Sequence, residues 1–515
     1  MPESRTSVVI LAAAALIAGG WSVAELYMRQ RRRLPLPPGP PKKSWLTGNA
    51  EDMPKTHIWF KFTEWAKEYG DVVHLQVHAN NIIIVSSYEG ILELFEKRGS
   101  IYSQRPQRMM PIMMGWGGLI AFTDYDDRWR ACRRHANSGF SKKAVTKYHD
   151  GQAKDVHMFL QRLLANPENY IEDLNMLVGG IIMRITYGYK VTKANDPYIT
   201  VSDEALATLA SSAVAGSYLV DSYPFIRHLP TWLPGMGFKV QAQEWSKLPL
   251  RMIEEPYKWA RKQINEGRAI PSFLSELLEQ NEDGEQGEDI IKWTAGSMYN
   301  AGSHTTVSTI SNFILAMILY PEVARKAREE MDRVVGTERL PSMADRPNLP
   351  YLECVHLETL RWSPVTPLTL PHRVTQEDEF QGYRIPANST VYSNVYSITR
   401  DERIFPDPEN FIPERFDGTQ PGTVPPNPRD MIFGIGRRIC PGNNIADASI
   451  YLVMANLIAT MDITKARDEN GNEIEPKVVK TGGLVSQTLP FECSVRPRSE
   501  NAKKLINSAV LFDQE

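Results

Sequence analysis

A single cysteine in a glycine-rich loop, followed at once by an apolar helical pattern, constrains this chain more than any other feature. Residues 433–442 read FGIGRRICPG, and residues 445–459 behind them are mostly apolar. Cys440 is therefore expected at the start of a helix, where backbone N–H groups favour a thiolate. The glycines let the backbone approach a flat, bulky group, and Arg437 and Arg438 add positive charge beside it. The alternative is an ordinary strand-to-helix turn with a buried free cysteine.

The spacing within this loop is specific. Phe433, Gly436, Arg438, Cys440 and Gly442 follow the order F-x-x-G-x-R-x-C-x-G. This pattern resembles the haem-thiolate loop of the cytochromes P450. The resemblance implies that Cys440 is the axial thiolate ligand of the iron in haem b. A thiolate pushes electron density onto the iron and favours O–O cleavage.

Charge and cysteine usage narrow the remaining classes of protein. A formal net charge of −3 over 515 residues gives no indication of a nucleic-acid partner. The four cysteines, Cys132, Cys354, Cys440 and Cys493, are far apart and form no CxxC pair. A disulfide framework is therefore not expected, which is consistent with a protein body that faces the cytosol.

The amino terminus is predicted to anchor the chain in a membrane. Residues 8–28 include an apolar run close to the roughly 20 residues that span a bilayer, and four arginines follow at once. Because basic residues stay on the cytosolic side, residues 1–7 are predicted to be lumenal. A cleaved signal peptide is the rival interpretation, but its basic residues would precede the apolar run. The basic and proline-rich residues 29–41 form a linker, and residues 42–515 form the haem domain.

The resemblance covers roughly residues 35–498 and implies a fold as well as a ligand. The fold is the cytochrome P450 fold, which is mainly α with a small β region, here behind a single-pass anchor in the endoplasmic reticulum membrane. Residues 72–77 and 82–86 are predicted strands of a hairpin, and residues 289–320 are a predicted long helix that the next proline ends. The tail after Arg498 is predicted to be mobile.

Two residues on one face of a predicted helix are candidates for cofactor binding. Trp129 and Arg133 are spaced i, i+4 in the sequence WRACRR. From the residues alone, a solvated basic helix with a core tryptophan is an equally good interpretation. In the family that the loop resembles, this pair donates hydrogen bonds to a haem propionate, and His372 and Arg438 match two further positions that contact the propionates. Buried carboxylates need such partners.

Polar residues interrupt the predicted long helix near its middle, where residues 301–306 read AGSHTT. Polar residues and a glycine inside a helix cost stability and so suggest a site. The segment resembles the oxygen-binding segment of the P450s, in which Gly302 leaves room for dioxygen and Thr305 supports its protonation. His304 stands where the family usually has a carboxylate. It is predicted either to relay protons, because histidine titrates near neutrality, or to be a spectator paired elsewhere.

A second charged motif is predicted to be structural. Glu358 and Arg361 stand i, i+3 apart on a predicted helix, and such a pair alone is commonly a surface ion pair of little energetic weight. Together with Arg415, in the sequence PERF, the motif resembles the buried Glu-Arg-Arg network of the P450s. The resemblance implies that these three residues hold the fold rather than take part in catalysis.

Four stretches are candidates for the walls and entrance of a substrate pocket. The methionine-rich residues 102–122 are predicted to form an adaptable roof, and residues 224–239, broken by three prolines, to dip into the membrane surface over an entrance. Residues 365–370 and 482–489 are predicted to edge the pocket. The alternatives are core filling by the methionines and a buried connection for the proline-broken segment.

The function implied by the resemblance is that of a monooxygenase. NADPH–cytochrome P450 reductase would pass electrons from NADPH, docking in part on Arg130 and Arg134, and one atom of O2 would enter a hydrophobic small molecule. Residues 96–106 and 185–191 resemble the fungal P450 group around O-methylsterigmatocystin oxidoreductase, which suggests secondary metabolism of a terpenoid or polyketide. Two alternatives stay open: an isomerase or dehydratase without external electrons, which His304 allows, and a haem-holding binder without turnover.

Overall fold

The computed structural model describes residues 34–193, 195–212, 216–419 and 424–514. The predicted membrane anchor, residues 8–28, lies outside these ranges. Nothing in the fold therefore bears on the anchor itself.

Long α-helices make up most of the described chain, so the prediction of a mainly α protein is confirmed. In chain order they are α1 (Ile58–Tyr69), α2 (Asp127–Phe140), α3 (His149–Ala165), α4 (Tyr170–Tyr187), α5 (Pro197–Ser212), α6 (Lys247–Asn265), α7 (Gly284–Leu319), α8 (Pro321–Val334), α9 (Pro350–Trp362), α10 (Asn443–Thr460) and α11 (Glu500–Gln514). Shorter helices connect them: Tyr88–Ile91, Gly99–Tyr102, Met109–Met113, Leu219–Ser222, Gly237–Trp245, Phe273–Glu279, Val395–Ile398 and Arg429–Ile432.

The β region is small, as predicted, and forms three separate sheets within the described residues. Its strands are β1 (Val72–Val77), β2 (Asn80–Val85), β3 (His372–Arg373), β4 (Asp378–Phe380), β5 (Tyr383–Ile385), β6 (Thr390–Ser393), β7 (Met461–Arg467), β8 (Glu473–Ile474) and β9 (Cys493–Pro497). The sheet orders are β1-β2-β6-β3, β4-β5 and β8-β7-β9.

The predicted hairpin is present, and its turn comes slightly earlier than expected. The strands β1 and β2 pair antiparallel with Val72 opposite Val85, and the turn consists of His78 and Ala79 rather than residues around 79–81. His78 has a φ of 51°, a left-handed value that is typical of the first residue of a two-residue hairpin turn. The strand β6 then adds to β2 in parallel, with Ile82 opposite Thr390.

The helix α7 is the longest helix described and forms one wall of the site. It has 36 residues, and most side chains from Thr294 to Ile318 are buried. Most of its buried hydroxyls are tolerated because they bond to carbonyls one turn back, as Ser308 does to His304 at 2.7 Å and Thr309 does to Thr305 at 3.0 Å. Ser303 is an exception, because its buried hydroxyl makes no hydrogen bond within the described residues.

No single helix in the described ranges is long and apolar enough to cross a membrane. The helices α7 and α8 reach the required length and apolar composition only when they are taken together, and the chain bends by 104° between them.

The prediction of a mobile tail after Arg498 is wrong, because that segment forms the helix α11. Ala502, Ile506 and Val510 recur every four residues and are 4%, 0% and 2% exposed. This spacing places them on one helix face, which packs against α3 and α10. The helical period of these three residues was the signal in the sequence.

Ile506→Ala should lower the free energy of unfolding by about 2–5 kcal/mol, because Ile506 is fully buried and its loss opens a cavity under α11. Leu511, 67% exposed on the same helix, is the matched control, and Leu511→Ala should change the value by less than about 0.5 kcal/mol. Urea unfolding of both variants measures the difference. Equal effects would mean that α11 is not docked.

Candidate active site

The cysteine loop is shaped by glycines in the left-handed region of backbone conformation. Gly434 and Gly436 have φ of 80° and 69°. A Cβ atom at Gly436 would lie 2.2 Å from the carbonyl oxygen of Phe95, so only glycine fits there. The Cys440 N–H then donates to the Phe433 carbonyl at 2.7 Å, which closes the loop just ahead of α10.

The surroundings of Cys440 act on the pKa of its thiol in opposite directions. Burial raises its pKa, while the backbone N–H groups of Gly442 and Asn443 and the charge of Arg133 act to lower it. The predicted position at a helix start, facing backbone N–H groups, is therefore found. The N–H groups and the guanidinium are arranged to stabilise a thiolate once something offsets the cost of burial.

A cavity of ≈ 310 Å³ separates the cysteine loop from α7. Cys440 lines one side of it, and residues from Ser297 to Thr309 on α7 line the other. Most of the remaining wall is apolar, including Val178, Ile181 and Ile182 of α4. The cavity thus brings together two motifs that are far apart in the sequence.

Three arginines and a histidine line this cavity, and none of the described residues around it is an aspartate or a glutamate. Arg133 donates to the Ile439 carbonyl at 2.7 Å, and Arg105 donates to the Leu370 and Pro371 carbonyls at 2.8 Å each. Arg438 donates to three backbone carbonyls: Ser103, Ile120 and Thr123. Burial lowers the pKa of all three guanidiniums, that of Arg438 to about 10.

His372 completes this cationic wall and is held by its backbone. Its Nδ1 lies 2.7 Å from the Tyr102 carbonyl and donates to it, which leaves Nε2 as the free ring nitrogen. Burial, with the charge of Arg105 next, lowers the pKa of His372 well below its usual value. The ring is therefore neutral at physiological pH.

Two donors in this wall have no acceptor in the protein. The Trp129 Nε1 and the Arg105 Nε are buried and make no hydrogen bond. Trp129 lies between two guanidiniums, 4.7 Å from that of Arg438 and 5.7 Å from that of Arg133. An unpaired buried donor is costly, so both atoms indicate an acceptor that the protein itself does not supply.

These observations fit haem. Its flat macrocycle suits the apolar walls, its two propionates suit a cationic wall with orphaned donors, and its iron takes a cysteine thiolate as a ligand. Buried guanidiniums without carboxylates are expensive unless an anion joins them. Cys440, Trp129, Arg133, His372 and Arg438, all predicted from the sequence, lie together in this one cavity.

Three residues of the oxygen-binding segment, Gly302, His304 and Thr305, were given roles from the sequence, and two of them line the cavity. Thr305 and Gly302 are on its wall, and the helix continues unbroken through them. A Cβ atom at Gly302 would lie 3.0 Å from Cγ1 of Ile182, so the glycine also lets α7 pack closely against α4. A helix–helix contact is thus a second reason for glycine at this position.

His304 does not line the cavity. Its Nε2 lies 2.9 Å from Oδ1 of Asp203 on α5, and its Nδ1 lies 2.9 Å from the side-chain nitrogen of Gln487. Of the two predicted roles, the paired arrangement is the one present in this conformation. Asp203 is about half exposed, so the pair reaches solvent.

Comparisons with known proteins agree with this geometry. A family model described as Cytochrome P450 matches residues 37–495. The chain belongs to the cytochrome P450 family. It is 41% identical to cytochrome P450 monooxygenase 208 of Postia placenta, over 93% of this chain and 94% of that protein. It is 40% identical to a cytochrome P450 monooxygenase of Armillaria gallica and 36% identical to the monooxygenase claR of Ampulloclitocybe clavipes, over 93% and 92% of this chain and 94% and 89% of those proteins.

Membership in the P450 family confirms the prediction of an enzyme of the P450 monooxygenase type, and it brings a haem iron cofactor, a redox partner and a small-molecule substrate. The roles given to individual residues stay predictions, supported by where their side chains lie. The kind of substrate and the identity of the redox partner belong to the proposal below.

The predicted Glu-Arg-Arg contacts are present. Arg361 donates twice to the Glu358 carboxylate, at 2.7 Å each, and Arg415 donates to it at 3.2 Å. Glu358 and Arg361 are fully buried, and Arg415 is 8% exposed. Further donors on both arginines reach backbone carbonyls of residues 399–410. The network ties the segment before the cysteine loop to α9.

The predicted pocket-lining stretches divide between two cavities. Leu119–Ala121 and part of residues 365–370 line the haem cavity, whereas Gly482–Leu484 line a second cavity of ≈ 100 Å³. The stretch 102–122 contributes other residues to both cavities, among them Leu119, Ala121 and Phe122, whereas its methionines line neither cavity. Met109, Met110 and Met114 are buried in the core, so core filling is the role of these methionines.

Arg105 was not singled out from the sequence, although it carries an orphaned donor toward the cavity. Its carbonyl partners, Leu370 and Pro371, are 265 and 266 residues away along the chain. Only the tertiary fold reveals this arrangement, because an arginine before a proline has no local pattern that indicates a buried site.

Trp129→Phe should speed haem loss by about tenfold or more, because it removes a buried donor to a charged acceptor. The control is Trp116→Phe. Trp116 is also fully buried with an unbonded Nε1, but it lies outside the cavity. Haem transfer to an excess of apomyoglobin measures both rates. The assignment of the cationic wall to the propionates would be contradicted by equal rates in the two variants.

Proposed function

We propose that this P450 is a haem-thiolate monooxygenase that inserts one atom of O2 into a hydrophobic small molecule. A C–H bond of the substrate becomes C–OH, and the second oxygen atom leaves as water with two protons and two electrons. NADPH supplies the electron pair through NADPH–cytochrome P450 reductase. The observation that carries the proposal is that Cys440 and Thr305 line one apolar cavity with a cationic wall on its edge.

Residues of this chain would hold the cofactor in defined ways. Cys440 would ligate the iron, and Trp129, Arg105, Arg133, His372 and Arg438 would hold the propionates. When bound, a thiolate-ligated haem supplies O2 activation and O–O cleavage. The Thr305 hydroxyl, which donates to the Ala301 carbonyl at 2.9 Å, is a proton-bearing group on the cavity wall. Apolar residues of α4 and α7 exclude water from the rest.

His304 can supply protons to the site only indirectly, because Thr305 lines the cavity and His304 does not. Its Nε2 is next to Asp203, whose side chain is half exposed and so reaches solvent. Because the histidine does not line the cavity, a relay needs either a rotation of its side chain or a path through Thr305, the next residue. The pair of His304 and Asp203 is proposed as the solvent end of that path.

Electron delivery is supported by a basic surface next to the cysteine loop. Arg130, Arg134 and Arg437 are exposed. Arg130 and Arg134 flank Arg133 on α2, which bonds to the Ile439 carbonyl beside Cys440. An acidic reductase surface would be attracted to this patch, which lies over the thiolate side of the cavity.

Substrate entry is supported by the second cavity. It shares Arg105, Ala121, Thr369 and Leu370 with the haem cavity, so the two adjoin. Trp59, Phe122 and Leu484 make its wall largely apolar. Since haem takes up much of the first cavity, an elongated apolar substrate would extend from the iron toward the second.

A membrane position is supported by exposed aromatic side chains. Phe225 and Trp232, in the proline-broken segment, are 64% and 79% exposed, and Trp45 is 90% exposed. The segments that carry them are neighbours, because Gly48 and the hairpin tip form a bridge and the His78 ring contacts Tyr223. Exposed aromatics suit a lipid interface, so we place the body on the cytosolic face of the endoplasmic reticulum, behind an anchor at residues 8–28.

The proposed role in secondary metabolism, with a terpenoid or polyketide substrate, rests on the resemblance of residues 96–106 and 185–191 to a fungal P450 group, and the relatives reported above are fungal monooxygenases as well. Two other functions have less support. The isomerase or dehydratase alternative depended on His304, which does not line the cavity. A binder without turnover would not need a threonine on the cavity wall opposite the cysteine loop.

The function is tested by incubating the haem-loaded full chain with the reductase, NADPH and a panel of terpenoids and polyketides under ¹⁸O2. One labelled oxygen atom per product and NADPH consumption are expected, and Cys440→Ser should abolish both. A product that forms without NADPH, or that carries no label, would contradict the proposal and favour the isomerase.

His304→Ala should lower the amount of product formed per NADPH consumed, because protons then reach the site less efficiently and reducing equivalents are lost. The ratio is measured with NADPH oxidation and product quantified in the same reaction. Asp203→Asn, which keeps the shape of the partner but removes its charge, should lower the ratio in the same direction. An unchanged ratio in both variants would make the pair a spectator.

A further inference from the structure

A second charged cluster lies at the base of the cysteine loop and has no part in the function proposed above. It consists of Arg346, Glu353, His356, Arg429 and Asp447. These residues come from four segments: the turn Met343–Asn348, the helix α9, the short helix Arg429–Ile432 and the helix α10. The cluster therefore joins parts of the chain that flank the loop on both sides.

Asp447 is the residue that bridges the two arginines. Its Oδ1 accepts from Nε of Arg429 at 2.5 Å, and its Oδ2 accepts from Nη1 of Arg346 at 2.6 Å. Glu353 contacts the same two guanidiniums at 2.8 Å and 3.0 Å. Two carboxylates thus balance two guanidiniums in an alternating ring, and each charge has two opposite neighbours.

His356 fills the inside of the ring as a neutral group. It is fully buried, and burial together with the charge of Arg429 lowers its pKa to about 3. Its Nδ1 accepts from Nη2 of Arg429 at 3.1 Å. The histidine therefore adds no charge and fixes the direction of the guanidinium that faces Asp447.

The position of the pair along the chain gives it a specific consequence. Arg429 precedes Cys440 and Asp447 follows it, and the two are 18 residues apart. Between them the loop contains two glycines in the left-handed region, Gly434 and Gly436. Its backbone hydrogen bonds are local, and the one that spans the most residues runs from the Cys440 N–H to the Phe433 carbonyl. A loop of this kind needs its ends fixed if the sulfur is to keep one position.

We propose that Asp447 is a positioning residue for Cys440: by bridging Arg429 and Arg346 it closes the base of the cysteine loop and keeps the sulfur in place for the haem iron. The inference depends on the proposed haem-thiolate function. It concerns a contact set separate from the Glu358, Arg361 and Arg415 network, although α9 carries residues of both.

The experiment follows the state of the thiolate ligand separately from the stability of the protein. The haem-loaded full chain is reduced and treated with carbon monoxide at a temperature well below the unfolding midpoint. The haem with bound thiolate absorbs at about 450 nm, and the haem that has lost the thiolate absorbs at about 420 nm. The conversion of the first form to the second is followed over time. Far-UV circular dichroism, recorded in parallel, reports unfolding.

Asp447→Asn keeps the side-chain shape and removes the charge that holds the two arginines together. It should speed the conversion at least about tenfold, while Asp447→Glu should restore a rate near that of the wild type. The matched control is Asp173→Asn, which breaks a similarly buried ion pair, with Arg162 at 2.9 Å, on α4, a helix that contributes no residue to the charged cluster. Its conversion rate should equal that of the wild type even if its unfolding midpoint falls.

Arg346→Lys provides a second test if Asp447→Asn does not accumulate as folded protein. Lysine keeps the charge but cannot bond to both Asp447 and Glu353 as the guanidinium does, so the conversion should again be faster than in the wild type. The inference is overturned if these variants convert at the wild-type rate, or if Asp173→Asn speeds the conversion equally. A wild-type protein that carries haem but has no band at about 450 nm would overturn the proposed function as well.

Discussion

Three guanidinium groups line one cavity whose described lining holds no carboxylate, and this arrangement is costly until an anionic group joins them. Arg105, Arg133 and Arg438 donate to backbone carbonyls, but carbonyl dipoles do not neutralise a charge. Binding of a dianionic group offsets this cost, so the cofactor stabilises the folded state as well as supplying chemistry. Trp129 and Arg105, with their orphaned donors, mark where the carboxylates belong.

The rest of the scaffold serves to bring distant segments to this cavity. The helix α7 supplies the wall with Thr305, the cysteine loop supplies the opposite wall, and α2 supplies Trp129 and Arg133 at the edge. The helix α9 holds the arrangement from behind, because it carries Glu358 and Arg361 in one ionic network and Glu353 and His356 in another. Buried ion networks of this kind are costly to break, since loss of one partner leaves the other charge unpaired.

Local sequence patterns were sufficient for the features that depend on spacing. The loop around Cys440, the i, i+4 pair of Trp129 and Arg133, and the long helix with Gly302 and Thr305 all lie where the patterns indicated, because each depends on neighbours within one element. His304 shows the limit of such patterns: sequence gives its position on the helix, but its direction depends on Asp203 and Gln487, which belong to other segments.

Features that depend on long-range packing were missed or misjudged. Arg105 belongs to the site only because residues 370 and 371 return to it, and the methionines near residue 110 are core residues only because other helices cover them. The helix α11 had a readable apolar period, but its stability comes from docking on α3 rather than from the segment itself.

The central claim is that Cys440, as a thiolate, ligates a haem iron in this cavity. The most direct test is the carbon monoxide difference spectrum of the reduced, haem-loaded chain, recorded for the wild type, Cys440→Ser and Cys493→Ser. The account predicts a Soret band at about 450 nm in the wild type and in Cys493→Ser. It predicts that Cys440→Ser lacks this band. A band that survives in Cys440→Ser, or wild-type protein that carries haem without the band, would contradict it.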